Sequence, residues 1–190
     1  MKHVCGPSSQ TILTGVQDGD SQPNAVDIRL DKVFLIRPKV FIIDEEQKVH
    51  RGSAEISPDD LGYFFLPVGT YAFVAENTIH VGENEAGWVI PRSTLNRNGV
   101  FITSGLYDSS YKGLMAGALH VTSGPMKIKR GTRIGQYISF AAEALHGYNG
   151  SYGFGTADDV NYGVTVEAPK KRRTRKPKVE QLVEEPSDGN

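Results

Sequence analysis

Between Asn24 and Phe34 the chain reads NAVDIRLDKVF, and apolar side chains recur at every second position: Val26, Ile28 and Leu30 on one face, Ala25, Asp27 and Arg29 on the other. That period predicts a half-buried strand with Asp27 turned away from the apolar face. Leu35 to Ile43 predicts its continuation, with Pro38 at an edge or bulge because proline offers no amide to a central ladder. The runs FFLP and GTYAFVAE within 59–78 predict a hairpin about a Pro67 to Gly69 turn. Further strands are predicted at Trp88 to Ile90, Gly99 to Thr103, Leu114 to Val121, Met126 to Ile128 and Arg133 to Phe140. Thr11 to Val16 reads as a short helix or turn, and only Thr94 to Asn98 hints at a helical period. Many short strands separated by glycine and proline predict an all-β sandwich or barrel.

Composition narrows the class of protein. A chain of 190 residues has room for one ordinary domain with a real core. Its 21 basic and 22 acidic residues nearly cancel, yet seven positive side chains crowd into Lys170 to Lys178, so the remaining body is net acidic. The lone Cys5 excludes an internal disulfide and a thiolate zinc site, and fits a reducing compartment. Without a secretory leader or an apolar run near the roughly 20 residues that cross a bilayer, the expectation is a soluble, intracellular, cytoplasmic protein with no membrane partner.

The densest chemistry lies in Ile90 to Gly113, IPRSTLNRNGVFITSGLYDSSYKG. Arg92, Ser93, Thr94 and Arg97 offer the forks and hydroxyls that phosphate oxygens take, and Asp108 beside Tyr111 offers a carboxylate for an attacking water or a metal shell. A phosphate-ester or phosphoanhydride site is expected. GYNGSYGFG, from Gly147 to Gly155, interleaves glycines with aromatic rings as a flap over a flat ligand does, although rings packed on the domain would read the same way. From Ala168 onward the separated charge blocks predict a disordered tail, whose basic part can contact nucleic acid weakly or simply stay solvated.

Taken in order, these stretches resemble the dUTPase and dCTP deaminase superfamily. Asn24 to Leu30 looks like its first motif strand, Pro91 to Gly99 like its phosphate motif and Gly105 to Gly113 like the uracil-pocket hairpin. Lys129 to Gln136 looks like the fourth motif, and Gly147 to Thr156 stands where the C-terminal lid belongs. The resemblance implies a distorted jelly-roll or β-clip barrel, assembled as a homotrimer with active sites shared between neighbouring chains. It divides the chain into an N-terminal segment packed on the core (1–20), the β domain (21–146), the lid (147–167) and the tail (168–190). In dCTP deaminases a glutamate that moves protons during ammonia loss follows the hairpin aspartate by ten residues; counted from Asp108, that position here is Ala118. A methyl group cannot carry a proton, so the resemblance favours Mg2+-dependent hydrolysis of dUTP to dUMP and pyrophosphate. The alternatives are a pyrophosphatase for dCTP or a modified pyrimidine nucleotide, a divergent dCTP deaminase, and a non-catalytic nucleotide-binding regulator.

The roles follow from that resemblance, each beside a plainer reading. Asp108 orients the water, or only accepts a hydrogen bond in its turn. Arg92, Ser93, Thr94, Arg97 and Gln136 meet phosphates; a surface ion pair for Arg92 and a strand-closing bond for Gln136 compete. Tyr111 stacks under deoxyribose, or is a core ring. Gly99, Thr103, Gly105 and Leu106 line the base pocket, and Tyr148, Tyr152 and Phe154 close over it. Asp27 reaches Mg2+ through water, or pairs with an arginine. His120 is given no role.

Overall fold

The computed structural model describes residues 8–154 and the backbone of Lys2–His3. The basic tail, Cys5 and the end of the expected lid lie outside the described residues. In chain order the elements are β1 Lys2–His3, β2 Ile12–Leu13, β3 Ser21–Gln22, β4 Ala25–Ile36, β5 Ile42–Ile43, β6 Lys48–Val49, β7 Ser53–Ile56, β8 Tyr63–Leu66 and β9 Gly69–His80. They continue with β10 Glu85–Pro91, α1 Ser93–Arg97, β11 Val100–Thr103, β12 Lys112–Val121, β13 Met126–Lys129 and β14 Arg133–Ala141.

Strand β4 organises the barrel because it serves two ladders. Its first half pairs with β14, bringing Asp27 opposite Gln136; its second half pairs with β9, from Leu30 opposite Ala75 to Leu35 opposite Tyr71. An irregularity between Leu30 and Lys32 turns the strand from one to the other, the bend a bulge supplies. The main sheet runs β1-β14-β4-β9-β12-β11, all antiparallel, and β10 takes the opposite edge of β14 and lies against β11. The sheet thereby closes nearly into a barrel.

Its interior is filled by Ile28 and Leu30 of β4, Phe73 and Ile79 of β9, Met115 and Leu119 of β12, and Ile134 of β14, each with at most 1% of its surface exposed. Burying each such side chain contributes roughly 1.5–3 kcal/mol, so these alternating positions fix the register.

Three expectations are corrected. The strands either side of Pro67 form, but not as a hairpin: β8 pairs with β13 and β9 with β4 and β12. Between them the chain turns a corner held by the Tyr71 hydroxyl, which donates to the Pro67 carbonyl at 2.9 Å. The strand expected through Pro38 stops at Ile36, and Ile42–Ile43 belongs to a separate two-stranded hairpin with β6. Proline lacks the amide that the ladder needs there, and it disfavours helical geometry at the residue before it. Thr11 to Val16, read as a helix or turn, contains β2, which pairs Ile12 with His80. No helix among the described residues is long and apolar enough to cross a membrane.

Candidate functional site

After β11 the chain leaves the barrel wall for 104–111 and returns as β12. This excursion is tied down at Tyr107, whose amide and carbonyl both bond to Gly87 of β10, and at Ser109, whose hydroxyl donates to the Glu85 carbonyl at 2.7 Å. Ser110 takes a left-handed backbone (φ 67°), closing the turn in which the Tyr111 amide donates to the Asp108 carbonyl. Asp108 between these anchors is exposed, and its carboxylate has no hydrogen-bond or ion-pair partner among the described residues. It lines an open depression of about 650 Å³ together with Leu106, Ser109, His146 and Tyr148.

Rings pack edge to face or tilted beside it. Tyr137, Tyr107, Tyr111 and Tyr148 follow one another at centroid separations of 5.9, 5.7 and 5.2 Å. Burial pushes the Tyr137 hydroxyl up to about 12 and the Tyr107 hydroxyl higher still, so both remain neutral over the physiological range. Tyr111 donates to the Leu114 carbonyl at 3.0 Å, and a Cβ at Gly113 would stand 2.5 Å from its hydroxyl, which is why glycine is needed there. The chain after β14 returns along this edge: the Tyr148 amide bonds to Ser109 and the Phe154 amide to Lys112, bracketing Tyr111. Tyr152 instead points to the β5–β6 hairpin, where its hydroxyl accepts from Lys48 at 2.8 Å.

Two of the phosphate candidates, Arg92 and Gln136, lie by a second aspartate. Asp27 is fully buried, and its Oδ2 accepts from Arg133 at 3.2 Å and lies 3.5 Å from Arg92 Nε. Its Oδ1 is buried with no donor among the described residues. Gln136 stands between Asp27 on β4 and Ile90 on β10, and the Arg92 amide donates to Ile134, so three strands and the start of α1 meet here. Ser93 and Thr94 are exposed on the first turn of α1, Arg97 on its last. Thr94, Arg97 and Gly99 line a groove of about 630 Å³ with Ser123 and Lys127. Gly99 has φ 67°, and a Cβ there would fall 1.9 Å from Ser123 Oγ, so no other residue fits that corner. One chain therefore brings Asp108, Leu106, Tyr111, Tyr148 and Phe154 to one region, and Arg92 and Gln136 to Asp27 in another. Thr103 shares a sheet face with Ala118, its register partner, and bonds to His120 Nε2 at 3.3 Å; Gly105 is exposed beside Ser104, whose hydroxyl donates to its carbonyl.

Sequence reasoning passed over Arg133 and Glu85. Arg133 and Gln136 are an odd number of residues apart and would face opposite ways in a regular strand; the bulge between Arg133 and Gly135 resets that parity. Glu85 is 5% exposed and accepts from the Ser9 hydroxyl, the Gln10 amide and both the amide and hydroxyl of Thr11, fastening the N-terminal segment to the barrel.

Residues 7–141 match the family described as dCTP deaminase-like, and the chain belongs to that family. It is 32% identical over 143 residues to a protein of Halobacterium salinarum named as a probable deoxyuridine 5'-triphosphate nucleotidohydrolase, covering 72% of this chain and 85% of the relative. It is 31% identical over 151 residues to the dUMP-forming dCTP deaminase of Persephonella marina, covering 76% and 84%. The crystal structure of the dCTP deaminase of Agrobacterium tumefaciens matches with a TM-score of 0.54 at 16% identity, over 72% of this chain and 45% of that one, a likeness of fold.

Proposed function

We propose that the protein hydrolyses dUTP to dUMP and pyrophosphate. The observation that carries this reading is Asp108: an exposed carboxylate with no partner among the described residues, held in a depression flanked by Tyr148, is free to accept a proton from water. In the proposed step Asp108 takes one proton as the water oxygen bonds to the α-phosphorus. The bond from that phosphorus to the bridging oxygen breaks, and pyrophosphate leaves with the electron pair. Arg92, Ser93, Thr94, Arg97 and Gln136 hold the phosphate oxygens whose charge grows in the step. Tyr111 supports the deoxyribose, Thr103, Gly99, Gly105 and Leu106 border the base, and Tyr148 and Phe154 cover it; Tyr152, bonded to Lys48 on the β5–β6 hairpin, stands outside this set.

The described residues contain no group of three carboxylate, imidazole or thiol side chains able to hold a metal, which fits an Mg2+ ion whose ligands come chiefly from a triphosphate. The unpaired Oδ1 of Asp27 fits a water donated from such an ion's shell. Bound there, Mg2+ would neutralise phosphate charge. Because Asp108 and the Thr94–Arg97 groove line separate cavities in one chain, a homotrimer with sites completed across its interfaces is the assembly that fits. Deamination is disfavoured because Ala118 carries no proton-transferring group.

Purified protein with each deoxynucleoside triphosphate and Mg2+, assayed for pyrophosphate and ammonia together, tests the reading. The expected result is pyrophosphate and dUMP from dUTP with no ammonia from dCTP. Ammonia, or no pyrophosphate from any pyrimidine nucleotide, would end it.

A further inference from the structure

The arginines of the barrel fall into two groups. Arg29, Arg92, Arg130 and Arg133 each pair with a buried or half-buried aspartate. Arg37, Arg51 and Arg97 have no carboxylate partner among the described residues. Arg97 is already placed at the phosphates; the other two lie together elsewhere. They line a basin of about 510 Å³ between the β5–β6 hairpin and the outer face of the sheet, with Lys39, His50, Phe41 and Tyr152.

Three properties of the basin specify a ligand. No carboxylate among the described residues lines it, and the hairpin's own acids are at its far turn, where Asp44 is occupied in capping the amides of Glu46 and Gln47. Arg51 donates to the Lys39 carbonyl, which fixes the guanidinium at the rim with donors to spare. Flat surfaces flank the cations: Phe41 and His50 lie 6.1 Å apart, and Tyr152 lies beneath the Lys48 ammonium at 4.5 Å. Guanidinium forks take phosphate oxygens in pairs, rings take a planar base, and the volume suits a small ligand.

We propose that this basin is a second anion site, separate from the catalytic one, that takes a nucleotide phosphate with its adjoining base. The basin's volume and its two guanidinium groups without carboxylate partners among the described residues suit a phosphate monoester or diester with its base. Two sources carry that chemistry: a free mononucleotide, or a nucleotide within a single strand. The floor of the basin includes Ala72, whose register partner on β12 is Ala118, so the site adjoins the sheet face bearing Thr103 without sharing a residue with Asp108's depression.

The test uses the full chain with its catalytic site saturated by an α,β-imido analogue of dUTP, titrated with dUMP and, separately, with a short oligodeoxythymidylate. The variant Arg37→Glu with Arg51→Glu should weaken binding of one probe by about tenfold or more through lost charge-assisted bonds, with dUTP turnover unchanged. Arg37→Lys with Arg51→Lys, which keeps charge and loses the forks, should fall between. A response to dUMP assigns the free nucleotide; a response to the oligomer alone assigns the strand. Equal affinity of wild type and both variants for both probes overturns the proposal, as does loss of turnover in step with binding, which would make the basin part of the catalytic pocket. The turnover assay reports separately on the proposed hydrolysis.

Discussion

Two aspartates of this barrel have opposite surroundings. Asp108 is exposed on a turn, with neither a donor nor a cation among the described residues. Asp27 has no exposed surface and engages two guanidinium groups through one oxygen. A carboxylate without protein partners is free for water and substrate; one clasped by two arginines fixes where their remaining donors point. The first should govern rate and the second geometry and stability.

The largest effect should come from the free carboxylate. Asp108→Ala should lower kcat for dUTP about a thousandfold, within the range of a lost general base, and leave nucleotide affinity intact. Its thermal midpoint should stay near wild type, since no contact is lost and exposed substitutions cost within about 0.5 kcal/mol. A variant that turns over normally, or one that unfolds, would erase the contrast.

Asp27→Ala should behave the other way. Removing one partner of a buried pair costs about 3 kcal/mol, toward the low end of such losses because Arg92 and Arg133 keep about a third of their side-chain surface in solvent. Urea unfolding reads that loss. KM should rise with it as Arg92 loses its hold, and the Mg2+ concentration for half-maximal rate should rise as well if Oδ1 meets the ion's water. Full stability in this variant would show that the arginines are fixed by something else.

Glu85 sharpens the comparison by supplying a buried carboxylate with no cation partner among the described residues. Burial alone would raise its pKa, but hydrogen bonds from Thr11, Gln10 and Ser9 together hold it below the ordinary carboxylate value of 4.5. A depressed folded pKa means stability that is present above the unfolded value and lost as pH falls through the folded one. Acid unfolding should therefore set in below about pH 4.5, aided by Asp20, which its hydrogen bond and ion pair with Arg29 likewise hold low against burial. Glu85→Gln should cost about 2 kcal/mol at pH 7, where hydrogen bonds to a charged acceptor are lost, and flatten the acid limb. Denaturant titrations at pH 7 and pH 4 check both. An acid limb unchanged by the substitution would remove Glu85 from the account.

The strands of the barrel were legible because alternation survives in sequence wherever one face is buried, as at Val26, Ile28 and Leu30. Asp108, Arg92 and Gln136 could be singled out as candidates because they lie in patterned stretches. What stayed hidden depends on long-range pairing. Nothing local says that Tyr63–Leu66 will choose Met126–Lys129 over the strand that follows Pro67. Nothing in a polar turn says that Glu85 will be reached by Ser9, Gln10 and Thr11 from more than seventy residues away. Arg133 was concealed by a bulge, since parity along a strand can be read only where the ladder is regular.

The smallest expected effect bears on which chemistry the free carboxylate serves. Ala118 is half-buried on the sheet face it shares with Thr103, with His120 on the same face, bonded to Thr103 and to Thr70 at 3.1 Å. A glutamate there would stand beside groups that can donate to it, in a row whose other register partner is Ala72, so space for the longer side chain lies over a methyl group. Ala118→Glu should therefore change stability by no more than about 0.5 kcal/mol and dUTP turnover by no more than about threefold. If position 118 alone separates hydrolysis from deamination, the same variant should release a trace of ammonia from dCTP where the parent releases none. A variant that folds, hydrolyses dUTP and still yields no ammonia would move the distinction elsewhere in the base pocket, to the backbone around Gly105 and Leu106. The proposed role of Asp108 toward water would then stand, with substrate choice assigned to the turn that carries it.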